Sequence, residues 1–184
     1  MGVDILGWVE VKRSDEWIGA LRIDALVYRH KYGFGSMFLD DEMFQPIAKG
    51  RGLPDDVSEE LKLSHPEEDW GHTWASWDEI AAIDWEAVYT PPSPRIYTRK
   101  RTAKGDVRLD SISYLHEMKD PPPLDFTHEG DTQIGDIVYS VVHEPSVQRK
   151  ETLHAGWQVV FEVMRFITDD RGNENVRLVV WFNG

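Results

Sequence analysis

The sequence predicts an α+β fold, a single domain over residues 1–184 with a mixed or mostly antiparallel sheet and helices packed on one face. Three observations carry this. Strand-like segments stand at both ends of the chain, and the strongest helical pattern lies just before the last of them. Strands and helices do not alternate regularly, which argues against a doubly wound parallel sheet.

The first strand covers residues 2–12, where Val3, Ile5, Val9 and Val11 alternate with Asp4, Leu6, Trp8 and Glu10. The first set is the expected core face. Residues 17–32 fit a second strand or a short helix, and residues 40–48 a short helix closed by Pro46. Ser58 is an N-cap, with Glu59 and Glu60 in the first turn, where the helix dipole favours acid. The polar stretch 64–74 reads as a loop. Ser76 and Glu79 form a capping box for a helix over 77–87. TPPSPR at 90–95 stops any regular element and reads as a connection within the domain. Residues 96–115 form a hairpin around Ala103-Lys104-Gly105-Asp106, and PPPLDF at 121–126 is an extended spacer. Ile134–Val142 reads as one strand. The helix over 151–168 places Leu153, Trp157, Val160, Met164 and Ile167 at helical spacing, with Val159, Val163 and Phe166 widening the apolar side. Val176–Phe182 is almost wholly apolar and is expected inside a sheet.

Composition bounds the function. The chain of 184 residues has no cysteine, which excludes disulfides, thiolate nucleophiles and zinc–thiolate sites. The start of the chain lacks the basic-then-apolar pattern of a signal peptide, and no apolar run approaches the roughly 20 residues of a membrane helix. A cytoplasmic protein without a membrane partner is the expectation. The net charge is -13, and residues 40–86 hold 14 Asp/Glu against Lys49, Arg51 and Lys62. General nucleic-acid binding is not expected of so acidic a chain, since phosphate contacts need a basic surface. A protein partner with a basic surface is.

The common nucleotide-binding, zinc-hydrolase and serine-hydrolase signatures are absent. Asp4 and Glu10 with His72 could hold a divalent metal or perform acid–base chemistry, as a hydrolase or nuclease would. Against this, Asp4 and Glu10 stand six residues apart, about 20 Å along a strand; an exposed carboxylate at each end of the strand is the plainer reading. Trp70, Trp74 and Trp77 around His72 could stack on a ligand, or serve as core around a helix start. Arg51 with Gly52-Leu53-Pro54, followed by Asp56, could hold a nucleotide or small anion. The basic hairpin at 95–108 could meet a phosphate backbone or an acidic protein face. No metal or other cofactor is expected.

Five segments occur in order: MGVDI at the start, YRHKYGFG at 28–35, PIAKGRGLPDDVSEE at 46–60, GHTWASWDEI at 71–80 and VRLVVWFN at 176–183. Together they resemble a family of small uncharacterised bacteriophage and actinobacterial proteins that open with Met-Gly-Cys-Asp-Ile-His. The resemblance implies a phage or bacterial context and no mechanism. It implies that Asp4, Glu10, Arg29, Arg51, Asp56, His72 and Arg177 are polar positions of interest. Val3 and Leu6 stand where the pattern has Cys and His, which favours binding over catalysis. The leading expectation is therefore a non-enzymatic, acidic partner-binding protein, a phage accessory factor that inhibits a host or defence protein. Its binding residues would be Arg51, Asp56, Trp70, His72, Trp74 and Trp77.

Overall fold

A computed structural model describes residues 4–27, 37–39, 43–65, 69–102 and 104–184. The class is α+β, and every strand pair in its two four-stranded sheets is antiparallel. The chain forms two compact units, one made of residues up to Val88 and from Gln148 onward, the other of Tyr89–Val147. No helix among the described residues is long and apolar enough to cross a membrane.

The first unit begins with β1 (Asp4–Arg13), β2 (Glu16–Arg22), α1 (Glu59–Ser64), β3 (Trp70–Ser76) and α2 (Trp77–Ala81). The chain leaves it through β4 (Val88–Tyr89). The second unit holds β5 (Arg95–Arg101), β6 (Val107–Tyr114), β7 (Gly130–Ile134) and β8 (Ile137–Val142), and the chain returns through β9 (Val147–Gln148). The first unit closes with α3 (Ala155–Arg171) and β10 (Val176–Asn183).

The sheet of the first unit has the order β2-β1-β10-β3, so the first and last strands of the chain pair at its centre. The register sets Ile5 against Phe182, Val9 against Leu178 and Val11 against Val176. Opposed residues share a face, so these side chains form one apolar layer. Trp157, Val160 and Met164 of α3 and Ile80 of α2 pack on it. The other face carries Leu6, Trp8, Val179, Trp181 and Trp74, with Leu61 of α1 buried against it. Burial on both faces explains why β10 is enclosed from Val176 to Phe182.

Several elements differ from the sequence expectation, each for a physical reason. Residues 43–48 contain no helix; Ile47 and Ala48 donate their N–H groups to the Met37 carbonyl instead. In the 17–32 segment a strand runs to Arg22, and residues 28–32 lie outside the described residues. Much of the supposed polar loop is β3, because the edge of β10 offers backbone partners from Arg177 to Phe182. The helix after the Ser76–Glu79 box ends at Ala81, where the Ile83 N–H turns back to the Ile80 carbonyl. The strand expected over 134–142 is the second arm of a hairpin that turns at Gly135, whose φ is +60°. Arg149–Thr152 is a 3₁₀ turn, so α3 starts at Ala155, after the N-cap His154. Val159 and Phe166 of α3 are exposed rather than buried.

The second unit is two hairpins side by side, β6-β5-β8-β7; its buried residues lie on both faces of the sheet, Ile96 and Thr98 with Val141 on one and Ser140, opposite Tyr97, on the other. The first hairpin is where the sequence places it. Its turn is closed by Gly105 N–H to the Thr102 carbonyl at 2.8 Å, and Ala103 lies outside the described residues. TPPSPR lies just past the junction at Tyr89.

Helix α3 is seated by a close backbone approach. A Cβ added at Gly156 would lie 1.7 Å from the carbonyl oxygen of Leu26. Gly156→Ala, favourable in an ordinary helix, is expected here to destabilise by about 2–3 kcal/mol, because backbone must move to admit the methyl group. The urea unfolding midpoint measures it, and an unchanged midpoint would mean that α3 is not held against Leu26.

Candidate functional site

Of the polar residues picked out from the sequence, Glu10, Arg51, Asp56, His72 and Arg177 fall into three groups in the first unit. The first group is built on Glu10 and Arg177, opposed residues of β1 and β10. Arg177 Nε donates to Glu10 Oε2 at 2.8 Å, and its terminal nitrogens donate to Oδ1 of Asp56 at 2.7 Å and to the Asp56 carbonyl at 3.1 Å. The other Glu10 oxygen accepts the backbone N–H of Ser58 at 2.8 Å. Ser58 in turn caps α1 by accepting from Leu61. The Arg177 guanidinium lies 3.9 Å from the centre of the Trp17 ring, and the Trp17 indole N–H donates to Asp56 at 2.9 Å. The hydrogen bond from Arg177 holds the Asp56 carboxyl below the usual carboxylate range. Glu10 is fully buried, not an exposed carboxylate at a strand end. A charge there is tolerated because it is paired and its oxygens are hydrogen-bonded.

The second group centres on Arg51. Its guanidinium meets Glu79 with two bonds, of 2.9 and 2.6 Å, and also donates to the carbonyls of Trp74 and Ile47. It lies 5.2 Å from the centre of the Trp74 ring. The Glu79 carboxylate is pushed below its ordinary range, first by the hydrogen bond from Arg51. Glu79 also closes the capping box of α2. Both terminal nitrogens of Arg51 are thus engaged within the protein, where an anion would need them.

The third group is His72 on β3 and His65 just after α1. Their Nε2 atoms meet directly, and the ring centres are 4.5 Å apart. The rings of His65 and Trp181 meet edge to face, their centres 5.2 Å apart at an interplanar angle of 76°. Burial lowers the pKa of His72, the nearby His65 lowers it further, and the charge of Asp69 opposes both. Asp69 is itself buried and accepts from Asn183 at 2.7 Å.

The catalytic set considered above does not assemble. Asp4 pairs in register with Asn183 and Glu10 with Arg177, at opposite ends of the β1–β10 ladder, and His72 is beside His65. Among the described residues no group of three His, Cys, Asp or Glu is placed to hold a metal ion. The three tryptophans separate as well. Trp70 is partly exposed and packs on Phe182 at 5.2 Å, Trp74 lies under Arg51, and Trp77 packs against the α3-side core. Arg29 lies outside the described residues.

Sequence reasoning missed His65, Trp17 and Trp181 as members of these groups. Trp17 and Trp181 are common core residue types, and His65 has no ligand spacing of a known motif. For Arg177 a signal was present, since it is the one charge in the strand Val176–Asn183, and Glu10 is an acid between Val9 and Val11. Comparison with family models, curated proteins and solved structures finds no match.

Proposed function

We propose that the protein is a non-enzymatic binding protein whose acidic first unit receives a partner with a basic surface. One observation carries the reading. Of the catalytic candidates, Glu10 is committed to holding the fold through Arg177 and Ser58, while the exposed charged surface of this region is mostly acidic. Over the described residues of 43–88, Asp55, Asp56, Glu59, Glu60, Asp78, Asp84 and Glu86 are exposed, against Lys49, Arg51 and Lys62. Such a rim raises the association rate of a cationic partner more than it raises affinity. The resemblance to bacteriophage proteins extends the proposal to an accessory factor that inhibits a host or defence protein in the bacterial cytoplasm.

The test is association kinetics with a partner captured from bacterial lysate, at low and high salt. The variant Asp55→Lys/Glu59→Lys/Glu60→Lys is expected to slow association about tenfold or more at low salt. The difference should shrink as the Debye length falls to about 3 Å at 1 M salt. Its fold should persist, because exposed substitutions usually change stability by no more than about 0.5 kcal/mol. Rates that do not depend on salt, and are equal in both proteins, would leave these carboxylates as solubility charges.

A further inference from the structure

We propose that His65 and His72 form a binding site for a divalent transition metal ion, Zn²⁺, Ni²⁺ or Cu²⁺, with Nε2 of each ring as a ligand. The two Nε2 atoms point at each other in direct contact. Two N–H groups could not meet this way, so at least one nitrogen presents a bare lone pair. Imidazole lone pairs converging on one point are what borderline divalent cations take, and imidazole suits Zn, Cu and Ni alike. Two nitrogens on one tetrahedral Zn²⁺, each at about 2.0–2.1 Å, stand about 3.3 Å apart. The rings reach that separation by parting slightly.

The surroundings hold the pair in place. His72 is on β3, which is hydrogen-bonded to the buried strand β10. His65 follows directly on α1 and packs edge to face with Trp181. Asp69 lies near enough to His72 for its carboxylate to act on the ring. Oδ2 of Asp69 is buried and has no hydrogen-bond partner among the described residues. It is a desolvated carboxylate oxygen near His72, a burial that a nearby cation would offset. With no third protein ligand among the described residues, the remaining coordination positions fall to water, so the ion would be exchangeable rather than enclosed.

The competing account is a plain N–H···N hydrogen bond between two neutral rings, and the experiment separates the two. The 184-residue chain is stripped with EDTA, dialysed into a non-chelating buffer and titrated calorimetrically with Zn²⁺. One ion per chain is expected. His65→Gln and His72→Gln should each weaken binding at least tenfold, and His128→Gln in the second unit should leave it unchanged. To keep the test independent of the folding of the variants, the wild type is also followed by NMR. The ring signals of His65 and His72 should shift together on adding Zn²⁺ and return with EDTA. No saturable uptake, equal binding in wild type and both variants, or shifts confined to other histidines would overturn the proposal.

Discussion

Glu10→Ala is expected to destabilise the protein by about 3–5 kcal/mol. The change strands the Arg177 guanidinium, whose side chain is 6% exposed, without its buried partner. It also removes the acceptor for the Ser58 N–H, at the residue that caps α1. A loss of this size is a large part of a typical total stability of about 5–15 kcal/mol. Asp56 does not make up for it, because its carboxylate is 62% exposed and spends part of its interaction on water.

The double variant Glu10→Leu/Arg177→Met separates lost pairing from lost packing. Replacing a buried ion pair by apolar groups of similar size is often neutral or stabilising. The double variant should therefore unfold in urea closer to wild type than Glu10→Ala does, though still below wild type, because Glu10→Leu leaves the buried Ser58 N–H without its acceptor. The exposed Asp56 loses little when its cation goes. A single-variant loss below about 1 kcal/mol would mean that Arg177 reaches water, and that the β1–β10 ladder alone holds this end of the sheet.

What the sequence revealed, and what it hid, follows from the range of the interactions. The first and last strands were readable because alternation and an unbroken apolar run are local signals. The caps at Ser58 and Ser76–Glu79 were readable because a cap is decided within four residues. Strand β3 was not. Trp70–Ser76 contains Gly, His, Thr and Ser, and it becomes a strand only because β10, a hundred residues later, offers its edge. The hairpin turn at Gly135 was hidden for a related reason, since an apolar strand with a glycine near its start looks like one continuous strand.

The site follows the same logic. Glu10 and Arg177 are 167 positions apart, and nothing local in either strand announces the partner. Of the positions the resemblance implies, Glu10, Asp56 and Arg177 are joined in one network, and Arg51 joins Glu79. His65 and His72, seven residues apart, are joined only because α1 and β3 bring the two rings together.

Trp157→Ala is expected to cost about 3–5 kcal/mol, the range for truncating a large buried aromatic. The residue is fully buried and packs at 5.8 Å on Phe161 and at 6.2 Å on Phe38, between α3 and the central sheet. Val160 and Met164 lie on the same side of the helix and cannot fill the space without moving α3 as a whole. That movement is opposed at the helix start, where Gly156 sits against the Leu26 carbonyl. Trp157→Phe tests the origin of the loss. The indole N–H of Trp157 is buried with no hydrogen-bond partner among the described residues, so its removal sacrifices no bond and relieves a desolvation cost of about 1–3 kcal/mol. Phenylalanine should therefore retain most of the stability that alanine loses, although it is the smaller aromatic. Urea unfolding of the two variants against wild type gives the comparison. Equal losses for alanine and phenylalanine would mean that the indole N–H is bonded after all, and that polar satisfaction rather than volume fixes this part of the core.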